Sequence, residues 1–290
     1  MSLFSDLDFV KENYPLAGYT WYGVGGNAEY FAPVQNIDQL RRAVARASEH
    51  NLDIKILGQG SNVLVRDEGV KGLVVKLEGD FSKFEFRGGS IIAGSGVNLG
   101  NLVLESVREG LGGLESLTGI PGSLGGAVKM NAGGSFGEIG TSVESVELMD
   151  MQGSTFSKHK PELVFSYRQN NIYESIITSV ELSLTPADSE MLLKRVQEIW
   201  IYKKNHQPVN RRTAGCVFRN VSGRSAGEII ESCGLKGAEN GKAKLSEKHC
   251  NIIIAEEGCT SSDIIGLIEK IRDKVRELAD IDLQLEIDMW

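Results

Sequence analysis

Glycine is spread very unevenly along this chain. Of 34 glycines in 290 residues, 25 fall in the first 140 positions, and 11 of those lie between Gly110 and Gly140. Glycine loses more backbone entropy on folding than any other residue, so a chain concentrates it where a positive φ or a close backbone approach is needed. With only 6 prolines and 7% aromatic residues, the excess is neither a collagen repeat nor a disordered linker. It marks backbone that must come close to something flat or anionic. The remaining balance, 41% hydrophobic and 24% charged, is that of a globular protein. A chain of this length buries roughly three quarters of its unfolded surface, in one large domain or two to three smaller ones.

The net charge of −8 argues against a nucleic-acid backbone or an anionic membrane surface as the main partner. An anionic small molecule stays open, because local charge decides that. The cysteines, Cys216, Cys233, Cys250 and Cys259, form no CxxC pair and no zinc-type spacing with the four histidines. No metal is expected, and free thiols in a reducing cytosol are the simplest reading. The first residues, MSLFSDLDFVKENYPL, carry acids early and lack the basic-then-apolar order of a signal peptide. A cytoplasmic protein is expected.

Apolar positions Ile37, Leu40, Val44 and Ala47 recur at helical spacing, with Asn51 as a stop. A strand over 53–57 follows and runs into Gly58. Further strands are expected over 70–77, 90–93, 143–149 and 177–184, and helices over 98–110, 189–203, 226–232 and 262–278. A strand over 251–255 and an alternating strand over 283–289 complete a mixed α+β pattern.

Two glycine motifs stand out. Gly58-Gln59-Gly60-Ser61-Asn62-Val63 follows a strand, where a turn of small residues leaves N–H groups pointing into a shared concavity that suits phosphate. It is not the dinucleotide fingerprint, since Val63 stands at the third glycine position and strand rather than helix follows. No Walker A motif occurs. The second cluster runs from Gly119 to Gly134, where Pro121-Gly122 sets a turn and small residues continue it. Such a surface could receive a flat aromatic cofactor and its pyrophosphate, or form a structural corner.

Thr20-Trp21-Tyr22-Gly23-Val24-Gly25-Gly26, then GQGSNVLVRD from Gly58, then GIPGSLGGAVKMNAGG from Gly119, in that order and spacing, resemble the UDP-N-acetylenolpyruvoylglucosamine reductase family. The resemblance covers nearly the whole chain and favours the shorter type, without an added lid segment. It implies a flavoenzyme that makes UDP-N-acetylmuramate for peptidoglycan, using non-covalent FAD and NADPH as co-substrate. The implied fold is α+β, an FAD-binding fold of the vanillyl-alcohol-oxidase type with a C-terminal substrate-binding domain. The corresponding limits are 1–78 and 79–190 for two FAD-binding subdomains and 191–290 for the substrate domain, the last strand returning toward the first. FAD pyrophosphate would rest on Gly58, Gln59, Gly60, Ser61, Asn62 and Val63. The flavin would lie near Ile120, Pro121, Gly122, Ser123, Gly126, Ala127, Asn131 and Ala132. A UDP-sugar is the implied partner, and a monomer is expected.

In Phe165-Ser166-Tyr167-Arg168, a strand period puts Phe165 and Tyr167 on one face and Ser166 and Arg168 on the other. Taken alone, Arg168 is a solvated strand residue. The resemblance makes it the arginine that holds the substrate carboxylate beside Tyr167, with Asn170 where the family has serine. From Lys203 to Arg212 four cations occur without an acid, a solvated face by itself and a diphosphate contact by resemblance, with Lys204 and Arg211 assisting. Gly215-Cys216-Val217-Phe218-Arg219-Asn220 then resembles the family's Gly-Ser-x-Phe-Lys-Asn-Pro, so Arg219 and Asn220 are implied substrate contacts and Val221 replaces the proline. Cys216 replaces the serine that protonates the substrate carbon. A thiol with a pKa of about 8.5 gives up a proton far more readily than an alcohol. Glu286, in Leu-Gln-Leu-Glu-Ile, matches the family's second acidic catalytic residue, although Asp288 stands where an arginine is usual. His249 reads as structural. The rival readings are another FAD oxidoreductase on the same fold and a non-enzymatic sugar-nucleotide binder, and bound flavin colour separates the second from both enzymes.

Overall fold

Helices form where apolar spacing and capping side chains coincide. In the computed structural model, which describes residues 3–173 and 175–290, α1 (Ile37–Glu49) starts at Asn36, whose side chain accepts the Gln39 N–H. Asn51 takes a left-handed φ of 52° just past its end. α2 (Leu99–Arg108) is capped the same way by Asn98 and closed by Gly110, with φ 68°. α3 (Leu124–Lys129) goes beyond the expectation of a surface poor in side chains. Two glycines disfavour a helix so short, yet Ser123 caps it and Leu124, Ala127 and Val128 are buried. α4 (Ser189–His206), α5 (Ala226–Ser232) and α6 (Ser261–Ala279) lie where expected, with α4 extending to His206.

The first seven strands are β1 (Lys11–Pro15), β2 (Asn27–Val34), β3 (Ile54–Leu57), β4 (Val63–Leu64), β5 (Val70–Leu77), β6 (Phe84–Arg87) and β7 (Ser90–Gly94). The chain divides into two compact units. One comprises Met1–Glu12, Glu29–Gln59 and Lys71–Lys203, and the other Asn13–Ala28, Gly60–Val70 and Lys204–Trp290.

In the first unit, a sheet of order β1-β2-β5-β3 carries β3 and β5 in parallel. α1 buries Leu40, Ala43, Val44 and Ala47 among Leu73, Val75 and Leu77 of that sheet. A second, antiparallel sheet has the order Thr155–His159, Val143–Asp150, Ser175–Ser183, β7, β6. Its core joins Ile91, Val146 and Val180 to Leu102 of α2 and Leu124 and Val128 of α3.

In the second unit, α6 buries Ile264, Leu267, Ile271 and Val275 against Phe218, Ile229, Ile253 and Leu283. A small antiparallel sheet runs Glu239–Asn240, Ala243–Leu245, Ile253–Ala255. β4 pairs in parallel with Asp288–Met289, in the register Val63 to Asp288 and Leu64 to Met289.

Two expected strands are corrected. Over 283–289 only Asp288–Met289 is a strand. The alternation survives, with Leu283 and Ile287 buried, but the partners change along it. Gln284 O accepts from Arg219 N–H and Glu286 N–H donates to Val217 O, whereas Asp288 N–H donates to Asn62 O. No single ladder can form. Second, Tyr167 and Arg168 do not alternate across a strand. Phe165–Ser166 and Gln169–Asn170 pair as a hairpin, Ser166 opposite Gln169, and Tyr167-Arg168 is its two-residue turn. Arg168 accordingly takes a positive φ of 56°, an uncommon setting for a side chain this large. Among the described residues no helix is long and apolar enough to cross a membrane.

Candidate cofactor and active site

The start of the first glycine motif, Gly58 and Gln59, meets the second motif inside the first unit. A Cβ at Gly58 would lie 2.5 Å from Ser123 Oγ, the cap of α3. Gln59 Oε1 accepts from Asn98 Nδ2 at 3.1 Å, and Leu99 N–H, at the start of α2, donates to Gly122 O at 3.0 Å. The turn after β3 is thus tied to the starts of both helices. In the second unit Gly60 has φ 67°, and a Cβ there would fall 2.0 Å from Tyr19 O. Only glycine lets that backbone pass. Residues 58–63 and 119–134 contain no acid. Backbone N–H groups at a turn of uncharged residues, with no carboxylate of its own to repel phosphate, fit an FAD pyrophosphate.

From α3 the construction continues to Arg168. Asn131, fully buried with φ 45°, accepts Gly140 N–H at 3.0 Å and donates to Ser166 O at 2.9 Å. Asn170 donates to Val128 O and Lys129 O, both at 2.8 Å, and its Oδ1 accepts Ile172 N–H. The departure from serine at 170 therefore satisfies the open carbonyls at the end of α3 and anchors the Arg168 hairpin there. Ala132 N–H bonds Ala127 O and Ala132 O accepts Ile139 N–H, so this stretch is held by backbone, while Ile120 packs partly buried on the core. Arg168 Cζ lies 5.1 Å from the Tyr167 ring centroid.

Lys203 also belongs to this neighbourhood. A Cβ at Gly119 would lie 3.1 Å from Lys203 Cδ and 3.3 Å from Trp200 Cε3. Burial, reinforced by the Arg168 charge, pushes the Lys203 amine down to about 8. Two cations that act on one another in a partly desolvated place can bind an anion.

In the second unit the segment from Gly215 is locked on both sides. Cys216 stands opposite Ile252 and Phe218 opposite Leu285. Val217 N–H donates to Asn251 O, Arg219 N–H to Gln284 O, and Glu286 N–H to Val217 O, each at 2.8 Å. Asn251, itself buried, accepts Phe218 N–H at 2.9 Å and donates to Phe218 O at 2.7 Å. Half-buried Cys216 and Glu286 are thereby fixed on adjoining extended segments, and Glu286 O accepts from Asn62 Nδ2 at 3.1 Å. Asn62 thus ties the end of the first glycine motif to the Glu286 backbone. Tyr22 is fully buried beside the Ala214 backbone, and burial, with the Cys259 and Cys216 thiols adding to it, holds its phenol above the usual range. His249 accepts Asn251 N–H at Nδ1, and burial keeps it below the usual histidine value. That backbone bond suits the structural role expected of His249.

The substrate candidates are placed less uniformly. Arg211 pairs with the Glu256 carboxylate, an acid supplied from outside its own basic run. Asn220 Oδ1 accepts Ala226 N–H at 3.0 Å. Arg219 Nε is buried without a hydrogen-bond partner among the described residues, Lys204 is exposed, and Tyr167 is 46% exposed at its hairpin tip. Sequence reasoning named Lys203 only as part of the basic run and passed over Asn98 and Asn251 as site residues. A polar cap signal marks Asn98, but nothing local marks Asn251.

A family model described as an FAD binding domain matches residues 28–157, and one described as UDP-N-acetylenolpyruvoylglucosamine reductase, C-terminal domain, matches 207–290. A UDP-N-acetylenolpyruvoylglucosamine reductase from Rhodopirellula baltica is 39% identical over 98% of this chain and 93% of the relative. One from Moorella thermoacetica is 36% identical over 97% and 93%. The crystal structure of UDP-N-acetylenolpyruvylglucosamine reductase from Thermus caldophilus superposes with a TM-score of 0.85 at 38% identity, covering 97% of this chain and 98% of that one. Phl p 4, a grass pollen allergen with glucose dehydrogenase activity, shares the fold at a TM-score of 0.51 and 15% identity, over 65% of this chain and 45% of its own.

Proposed function

Because the chain belongs to the UDP-N-acetylenolpyruvoylglucosamine reductase family, we propose that it reduces the enolpyruvyl group of UDP-N-acetyl-3-O-(1-carboxyvinyl)-glucosamine with NADPH as reductant. It is an FAD-dependent oxidoreductase of UDP-N-acetylmuramate formation, with the FAD-binding fold of vanillyl-alcohol-oxidase-type proteins. Bound FAD supplies the hydride for the β-carbon of the enolpyruvyl group.

The chain's own residues then have separate tasks. Residues 58–63 hold the pyrophosphate and 120–132 the flavin, within FAD-binding subdomains 1–78 and 79–190. Arg168 pairs with the substrate carboxylate and keeps it oriented while negative charge develops there. Cys216 holds the proton at Sγ and delivers it to the α-carbon. Glu286, when protonated or through a water, donates to the carboxylate and shares the developing charge. Tyr167 and, in a substrate domain over 191–290, Lys204, Arg211, Arg219 and Asn220 bind the rest of the sugar nucleotide, and the protein acts in the cytoplasm as a monomer.

The observation that supports this assignment of roles is the bond from Glu286 N–H to Val217 O, which holds an acid and a thiol on neighbouring segments. The test is anaerobic mixing of the NADPH-reduced holoenzyme with the enolpyruvyl sugar nucleotide. Rapid return of the oxidised flavin spectrum is expected, and a flavin that stays reduced until oxygen is admitted contradicts the reading.

A further inference from the structure

Beneath the first glycine turn stands a lysine that none of the roles above uses. β3 and β5 run parallel with Leu57 opposite Lys76. That register places Lys76 beside the point where β3 ends and the turn begins. Its ammonium donates to the Gly58 carbonyl at 2.9 Å, from a half-buried side chain. Burial lowers its pKa from the ordinary lysine value, with Glu78 acting in the opposite sense. Putting an ammonium where water is scarce costs free energy, and a surface lysine would avoid that cost.

The turn it touches has a complementary lack. Gly58, Gln59, Gly60, Ser61, Asn62 and Val63 carry no charge, although a pyrophosphate is anionic. In parallel sheets, ligands bind beyond the carboxyl ends of the strands, and Gly58 is the first residue past the carboxyl end of β3. The side chains that meet the start of this turn besides Lys76, Ser123 at Gly58 and Asn98 at Gln59, are neutral.

We propose that Lys76 is a positioning residue for FAD, holding the Gly58 carbonyl back so that the N–H groups after it face the pyrophosphate, and supplying from below the positive charge that residues 58–63 lack. This rests on the reading of 58–63 as the pyrophosphate loop. FAD dissociation is read from the fluorescence released when holoenzyme is diluted, beside far-UV circular dichroism as a check of folding. Lys76→Met is expected to weaken FAD binding tenfold or more. Lys76→Arg, which keeps the charge and the donor, stays within threefold of the parent. If Lys76→Met does not fold, Lys76→Gln replaces it with the same expected loss. An affinity within threefold of the parent in the neutral variant overturns the proposal, and so does an equal loss in Lys76→Arg. Hydrogen exchange of a peptide spanning 58–66, with and without FAD, separates the two levels. Protection of that peptide alongside an unaffected FAD affinity overturns the role of Lys76 alone, and no protection overturns the loop reading together with it.

Discussion

Replacing Lys203 by methionine should make the cofactor-free protein more stable, and only below a definite pH. The lysine stem packs on the Gly119 turn beside Trp200, and the Arg168 charge acts on its amine. Its pKa falls from 10.5 to about 8, a difference of about 2.5 units or roughly 3 kcal/mol between the charged and neutral forms. Below pH 8 both folded and unfolded chains carry the proton, so the parent bears the whole penalty. Between pH 8 and 10.5 only the unfolded chain keeps it, and parent stability rises by about 1.4 kcal/mol per pH unit relative to the variant. Above 10.5 the difference is gone. Methionine has a similar length and no charge, which preserves the contact with Gly119. Urea unfolding of both proteins at pH 7, 8, 9 and 10 measures the gap directly, and titrations common to the two cancel. A gap that does not change with pH, or one that widens as pH rises, refutes the reasoning.

Cys216→Ala should leave flavin reduction by NADPH nearly intact and slow reoxidation by substrate, whereas Cys216→Ser should keep substantial activity in both half-reactions. Stopped-flow absorbance of the flavin checks each, and equal loss in both halves contradicts a proton-donor role. Asn170→Ala removes two bonds to the end of α3 and one to Ile172. It should cost about 1–3 kcal/mol in denaturant unfolding and raise the substrate KM, because the Arg168 hairpin loses its anchor. An unchanged KM contradicts that coupling.

Much of the fold was legible in local pattern. Asn36 and Asn98 mark helix starts through their capping oxygens, and Asn51, Gly110 and Gly234 mark ends through left-handed backbone. The glycine crowding likewise located backbone contacts, at Gly58 against Ser123 and at Gly60 against Tyr19. What failed to show lies in pairings distant in sequence. The alternation of 283–289 is plain, but its partners come from 217–219 and 62–64. Tyr167-Arg168 contains no usual turn former, so the hairpin follows from the anchors Asn131 and Asn170 rather than from propensity. α3 forms against the preferences of its two glycines because Ser123 caps it and Gly125 lets it approach Ser95, where a Cβ would be 2.6 Å from the serine Cβ. Lys76 reaches Gly58 only through the parallel register of two strands that no local signal pairs.

The pairing of β4 with Asp288–Met289 sets an order of events during synthesis. Residues 60–70 leave the ribosome early, but Glu286, Asp288 and Trp290, to which Asn62, Leu64 and Arg66 bond, are made more than two hundred residues later. At cellular elongation rates that delay is on the order of 10–40 s. Gly58 and Gln59 settle with segments soon to follow, on β5, α2 and α3, and Gly60 with Tyr19 and Trp21, already made, while Asn62 and Val63 wait for the last strand. A nascent chain therefore carries the turn over 58–63 incomplete for most of translation, and the whole turn is assembled only when residues 286–290 arrive.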